Sequence, residues 1–335
     1  MLKRSSKVSI LIPCYNGERL LHNSLDSILA QTYRNLQILF VNDGSTDNTE
    51  TAAKAYETAF QNAGMEFLLY NKENGGAASA INVALRHYDG DYVMWLDSDD
   101  ILLPQSIEKM LEFLENNPQY DYCMGEGVVV QENAYDHALW KLARIPVENE
   151  TKDIMMTELL RGENSVYGPG TVMCKKQLMK TAIPAEGIYE SRQGQNWQLL
   201  IPITYYGNRG YMKETLFKCV EHEDSHSRMK RDCANLIQRE KEFITLCQQT
   251  IDSINKMPEE EKQKWKNLIE INHLQKMFRI LISHWNFREA GCVGSQLKQK
   301  GCREVRHTSV FAAALMIFNG KVVRKIRKIL RKALP

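Results

Sequence analysis

At 335 residues the chain has room for one large α/β domain and an appendage. Its 43% hydrophobic and 25% charged residues exclude an intrinsically disordered chain, and no low-complexity tract or internal repeat interrupts it. The net charge of +2 is unevenly spread: Lys321, Arg324, Lys325, Arg327, Lys328, Arg331 and Lys332 supply seven positive charges, and the rest of the chain carries −5. A nucleic-acid binder would carry a basic face across its body, so no nucleic-acid partner is expected. Eight cysteines (Cys14, Cys123, Cys174, Cys219, Cys233, Cys247, Cys292 and Cys302) form no C-x-x-C pair, which argues against a zinc knuckle or a redox motif and for free thiols. Residues 1–6 are too short and polar for a signal peptide, and a reducing cytoplasmic compartment is expected.

Residues 7–15 (KVSILIPCY) are a nearly continuous apolar run, as expected of a parallel strand covered on both faces, and Asn16-Gly17 ends it. Over 18–31, Leu20, Leu21, Leu25, Ile28 and Leu29 share one helical face; residues 36–41 (LQILFV) are a second strand that stops at Asn42-Asp43-Gly44. Asp47, with Glu50 three residues on, is placed to cap a helix over 49–63. Residues 65–70 read as a strand, Asn74-Gly75-Gly76 as a tight turn and 77–87 as a helix. Residues 91–96 (DYVMWL) are another buried strand, closed by Asp97-Ser98-Asp99-Asp100, and Pro104 opens a helix with Ile107, Met110, Leu111 and Leu114 on its apolar face.

This alternation predicts an α/β fold, a Rossmann-like, mostly parallel sheet flanked by helices. Beyond Pro118 the pattern is irregular, with strands expected at 122–131 and 170–174 on either side of Tyr167-Gly168-Pro169-Gly170. From about Asp232 the chain reads as helical. The expected organisation is a domain over 1–230, with a ligand-binding half at 7–118 and a second half at 119–230, followed by a helical region over 231–335.

In an open parallel sheet, ligands bind at the carboxyl ends of the strands. Three polar breaks fall at such ends: Pro13-Cys14-Tyr15-Asn16, Asn42-Asp43-Gly44-Ser45 and Asp97-Ser98-Asp99-Asp100. Mg2+ and Mn2+ prefer oxygen ligands and take one or two carboxylates plus phosphates and water, so D-x-D on a rigid strand end suits a metal–diphosphate site. The alternatives are an Asp-rich turn with Asp100 capping the next helix, simple strand termination at Pro13 and Tyr15, and a turn role for Asp43.

The ordered set VSILIPCYNGERLLHNSLDSILAQTYRNLQILFVNDGSTDNT, NGGAASAIN and GDYVMWLDSDDILLP, within residues 7–104, resembles the nucleotide-binding half of family 2 glycosyltransferases of the GT-A fold, the bacterial cell-surface polysaccharide type. The resemblance implies transfer of a sugar from a nucleotide donor, with UDP favoured, to a hydroxyl of a glycan or lipid-linked acceptor, with inversion. It implies that Pro13, Tyr15 and Glu18 line the nucleotide pocket, that Asp43 contacts the nucleobase, and that Asn74 and Gly75 approach the donor. Asp97, Ser98 and Asp99 then form the Mn2+- or Mg2+-diphosphate element, with Asp99 the direct ligand.

Two departures stand out. Ile81 occupies a position where relatives carry Arg, and Gln195-Asn196-Trp197 stands where relatives have Glu-Asp before Trp, the acid serving as general base. An amide hydrogen-bonds an acceptor but takes up no proton at neutral pH. Gln195, Asn196 and Trp197 keep an acceptor-side position before the apolar run 199–203. The nearest carboxylates are Glu186 and Glu190, of which Glu190 is the better placed as base, a solvated loop glutamate being the alternative. In residues 217–227 (FKCVEHEDSHS), His222 takes the place of the family's histidine, a further metal or phosphate ligand, with His226 as its competitor.

In residues 321–335 the apolar side chains Val322, Val323, Ile326, Ile329, Leu330, Ala333 and Leu334 share one helical face and the cations the other. Such a helix suits an anionic membrane surface at the inner face of the plasma membrane, or else a dimerisation interface. Residues 310–318 are apolar but too short to span a bilayer. A sugar-phosphate nucleotidyltransferase would favour a Gly-rich basic loop after the first strand, which is lacking. A catalytically silent nucleotide-sugar-binding or scaffold protein stays open because of the missing Glu-Asp acid.

Overall fold

The apolar runs of the first hundred residues become neighbouring strands. In chain order the computed structural model has β1 (Val8–Cys14), α1 (Leu21–Leu29), β2 (Leu36–Asn42), α2 (Thr49–Lys54), α3 (Glu57–Asn62), β3 (Glu66–Asn71), α4 (Ala77–His87) and β4 (Tyr92–Trp95). The strands pair in the order β3-β2-β1-β4, all parallel, and every residue of β1 and β2 is buried, as runs without polar alternation require. The structure describes residues 6–166, 168–223 and 232–302. The expectations for Tyr167, His226 and the amphipathic segment 321–335 lie outside the described residues.

The second half continues with β5 (Ile101–Leu102), α5 (Ser106–Asn116), β6 (Tyr122–Gln131), β7 (Ala134–Leu142), α6 (Lys152–Arg161), β8 (Val172–Lys175), α7 (Lys176–Ala182), α8 (Gln195–Tyr206) and β9 (Arg209–Glu221). These strands extend the sheet in the order β4-β8-β6-β9-β5, with β7 on β6. Here parallel pairing survives only between β6 and β9; β8 is antiparallel to both β4 and β6. The sheet is thus parallel in its first half and mixed in its second, flanked by helices, the architecture of a GT-A-type α/β fold. Helices α9 (Cys233–Asp252), α10 (Glu259–Ser283) and α11 (Phe287–Gln299) complete the described chain.

The helix expected over 49–63 is two short helices that meet at Ala55–Tyr56, and Asp47 accepts from the Thr49 amide at 3.0 Å rather than forming a box with Glu50. Asp100 caps no helix. Its carboxylate is buried and accepts the Val220 amide of β9 at 2.8 Å. Four of the cysteines, Cys14, Cys123, Cys174 and Cys247, are buried and in no disulfide, while Cys292 is exposed.

The chain divides into two compact units, 1–229 with 246–263 and 230–245 with 264–335. The first is centred on the sheet. In the second, Ile237, Leu274, Met277, Phe278, Leu281 and Leu297 make an apolar core, and His273 Nδ1 lies 2.6 Å from Glu240 Oε2. No described helix is long and apolar enough to cross a membrane.

Phe217 of β9 locks the strand that follows the acidic cluster. Its fully buried ring sits against Gly127, Gly168 and Gly170, and a Cβ on Gly170 would stand 2.5 Å from Phe217 Cδ2, so only glycine fits beneath it. Phe217 pairs with Leu102 of β5, just beyond Asp100. Phe217→Ala is expected to cost about 3–5 kcal/mol of stability, the usual range for a buried aromatic. Urea unfolding followed by near-ultraviolet circular dichroism checks this, and a loss under about 1 kcal/mol would contradict the packing role.

Candidate active site

Two strand-end loops are laced together over the mouth of the first sheet half. After β1, the Asn16 amide donates to Ser45 Oγ at 2.9 Å, the Gly17 amide to Thr49 Oγ1 at 2.8 Å and the Glu18 amide to Asp47 Oδ2 at 3.1 Å. In return Asn16 Oδ1 accepts the Thr46 amide at 2.8 Å. Glu18, expected in a nucleotide pocket, is exposed and accepts from the Asn48 amide and Asn48 Nδ2 at the start of α2. Its placement serves the helix N-terminus, where an anion is favoured. Pro13 is buried, and Tyr15 is 46% exposed at the loop crest.

Asp43, at the end of β2, is 2% exposed. Its Oδ1 accepts from the Gly75 amide at 3.0 Å and from Lys72 Nζ at 2.8 Å, and its Oδ2 accepts the Gly76 amide at 2.7 Å. The carboxylate thus anchors the Asn74-Gly75-Gly76 turn. That anchoring role was not legible in the sequence, because Lys72 carries no motif.

The cluster after β4 concentrates negative charge. Asp97 is half-buried; burial and the neighbouring Asp99 push its carboxyl up to about 7, against a smaller downward pull from Gln195. Burial, then Asp99 and Asp97, push Asp100 well above the usual carboxylate range. Asp99, whose side chain is 33% exposed, accepts at Oδ2 from His222 Nε2 at 2.9 Å, and that bond raises the His222 pKa. Asn23 Nδ2 holds the Asp99 carbonyl at 2.9 Å. Burial pushes the Cys14 thiol up to about 12, with Ser98 as a hydrogen-bond partner, so the ends of β1 and β4 touch.

A strap from the second half runs along α4. Asn82 grips Ile188 with both amide atoms, at 2.8 and 2.9 Å; Ser79 Oγ donates toward Glu190 Oε1 at 3.4 Å; and Arg192 Cα would be 3.2 Å from a Cβ on Gly76, whose φ of +90° also demands glycine. Each step back along the helix meets the strap two residues further on, and so Glu190 reaches the first turns of α4. It is exposed there. Helix α8 then starts with Gln195, Asn196 and Trp197, all half-buried, and Gln195 reaches Asp97. The fold therefore brings Pro13, Tyr15, Asp43, Asn74, Gly75, Asp97, Ser98, Asp99, Gln195 and His222 to one end of the sheet.

Among the described residues no three His, Cys, Asp or Glu side chains by themselves enclose an ion. The donor set nonetheless fits a hard divalent cation that is completed by phosphate oxygens and water: carboxylates at Asp97 and Asp99, an imidazole at His222, and carboxyl pKa values at Asp97 and Asp100 raised by burial and then by the neighbouring carboxylates.

The sheet order, the laced strand ends and the carboxylate cluster define an α/β scaffold with a polar crevice at one end of its sheet. The family model for Glycosyl transferase family 2 matches residues 9–217, and the chain belongs to that family. An uncharacterized glycosyltransferase of Rickettsia typhi is 43% identical over 122 residues, 36% of each chain, so this chain spans about a third of that relative. The putative glycosyltransferase EpsE of Bacillus subtilis is 31% identical over 223 residues, covering 66% of this chain and 76% of EpsE. The fold matches S. aureus TarS in complex with UDP-GlcNAc with a TM-score of 0.55 at 16% identity, over 98% of this chain and 92% of that one.

The raised pKa values fix a sign. Asp97 holds its proton in the folded chain up to about 7, against 3.8 ordinarily, so between those values the native state binds more protons than the unfolded one. Its contribution is complete below the ordinary value and is lost as pH rises through about 7; His222, also raised, acts in the same direction. In EDTA the thermal midpoint is expected to fall more steeply between about pH 5 and about pH 8 in wild type than in Asp97→Asn. Equal slopes would contradict the placement of Asp97.

Proposed function

We propose that the chain is a metal-dependent, inverting glycosyltransferase that moves a sugar from a nucleotide donor to a hydroxyl of a glycan or lipid-linked acceptor. A UDP-sugar is the favoured donor, in keeping with the UDP-GlcNAc bound by the structural neighbour TarS. The observation that carries the reading is the juxtaposition of Asp97, Asp99 and His222 at the strand end that closes the nucleotide-binding half. Asp99 and Asp97, with His222, are the residues to hold Mn2+ or Mg2+, which when bound supplies charge neutralisation for the leaving nucleoside diphosphate.

In this account Pro13 and Tyr15 frame the nucleotide, and Asp43 keeps the Asn74-Gly75-Gly76 backbone in place beside the donor. Glu190 is assigned as the base that takes the acceptor hydroxyl proton, since the strap brings it to the start of α4. The acceptor is placed at a cytoplasmic membrane face, through the amphipathic segment 321–335. A silent nucleotide-sugar-binding protein is the second reading, motivated by the amides at Gln195 and Asn196.

A panel of UDP-, GDP- and dTDP-sugars with Mn2+ or Mg2+, scored for donor hydrolysis, tests both readings. Wild type is expected to hydrolyse one donor, and Asp99→Ala to lose about a hundredfold or more, beyond the effect of changing a partner of a metal ligand. Hydrolysis indifferent to Asp99→Ala overturns the metal assignment, and donor binding without any turnover favours the silent reading. Glu190→Gln is expected to lower transfer to acceptor by about 10²–10⁴-fold, the usual contribution of a general base, with donor binding unchanged. Transfer at the wild-type rate removes Glu190 from that role.

A further inference from the structure

Helix α8 starts against the strand that carries the carboxylates, and two amide side chains make the junction. Asn196 Oδ1 accepts the Trp95 Nε1–H at 2.8 Å, and Gln195 Nε2 donates to Asp97 Oδ1 at 3.2 Å. Trp95 is the last residue of β4, is 1% exposed and stands two residues before Asp97. Consecutive residues of the helix thus hold the tip of the strand and the first carboxylate beyond it.

The chemistry of each contact is directional. With a cation bound, Asp97 is ionised and only accepts, so whatever meets it in that state must donate, and an indole N–H only donates, so whatever meets Trp95 must accept. An amide satisfies either demand without adding charge. A glutamate at 195 would have the same shape but would set oxygen against oxygen beside three carboxylates, and a lysine there would compete with a cation for Asp97. Neutrality and the capacity to donate together select an amide at this position.

We infer that Gln195 is a positioning residue of the donor half: it orients the Asp97 carboxylate for the cation–diphosphate, while Asn196, through Trp95, holds the helix that carries Gln195. The inference rests on the donor-site reading above and moves Gln195 and Asn196 from the acceptor side, where the sequence places them, to the leaving-group side. It also gives the missing acid a reason. With Gln195 donating to Asp97 and Asn196 accepting from Trp95, neither amide serves as a base, and the base must come from elsewhere.

The test is UDP binding to the full chain by titration calorimetry, with and without Mn2+, for wild type, Gln195→Ala, Gln195→Glu and Trp95→Phe. Wild type is expected to bind UDP more tightly with Mn2+. Gln195→Ala and Gln195→Glu should each reduce that Mn2+-dependent gain by about 10–100-fold, the range for losing a partner that orients a metal ligand, while metal-free UDP binding stays as in wild type. Gln195→Glu should be at least as impaired as Gln195→Ala. Trp95→Phe, which removes the indole N–H while leaving an aromatic in place, should lose a smaller part of the same gain, and it carries the test if the variants at 195 do not fold.

An unchanged Mn2+-dependent gain in these variants overturns the inference. So does an equal loss with and without Mn2+, which would mark a merely structural role, or a gain in Gln195→Glu above wild type. A wild type that binds no UDP at all overturns the donor-site reading, and the inference with it, and is recognised because no variant is needed to see it.

Discussion

Three carboxylates within four residues, Asp97, Asp99 and Asp100, close one strand in the middle of the sheet, and the surroundings are arranged around that concentration of charge. Burial and mutual repulsion raise the pKa values of Asp97 and Asp100. The protein contains the cost with neutral or protonated donors: the Val220 amide on Asp100, Gln195 on Asp97 and His222 on Asp99. Only His222 can bring a positive charge, and it comes from the end of β9, more than a hundred residues away. Three chain segments thus converge on one acidic turn, and this concentration of charge is what the proposed cation and diphosphate would compensate.

The opposite charge logic governs Asp43. There the acid is compensated within the protein, by Lys72 and two backbone amides, and its product is a fixed loop. The comparison separates two kinds of acid at the ends of β2 and β4, on either side of β1: one saturated and structural, the other short of positive charge. The strap 187–192 supplies the remaining geometry by running along α4, so that Ser79 and Asn82, within the NGGAASAIN run, and Arg192 of the strap decide where Glu190 stands.

The first sheet half was legible because strands buried on both faces write themselves as unbroken apolar runs, and each ended on a polar break at the ligand end. The second half was less so. Strand β9 is interrupted by shifts of register against β6, which spoil any period of two. Helix α8 contains Pro202 and is buried over Gln198–Thr204, so it has no amphipathic rhythm to read. Strand β7 is an exposed edge without apolar alternation. In the site, the residue types at Asp97, Asp99 and His222 were readable from order along the chain. The partners of those residues were not, because Gln195 and Lys72 act through contacts that only the folded chain creates.

The most direct measurement of the central claim is anomalous diffraction from crystals of the full chain grown with Mn2+ and UDP. The account predicts one strong Mn2+ peak in contact with the Asp99 carboxylate and with the diphosphate, and with Gln195 still donating to Asp97. A peak elsewhere, or UDP bound away from the ends of β1 and β4 with Asp99 still engaged by His222 alone, would contradict it.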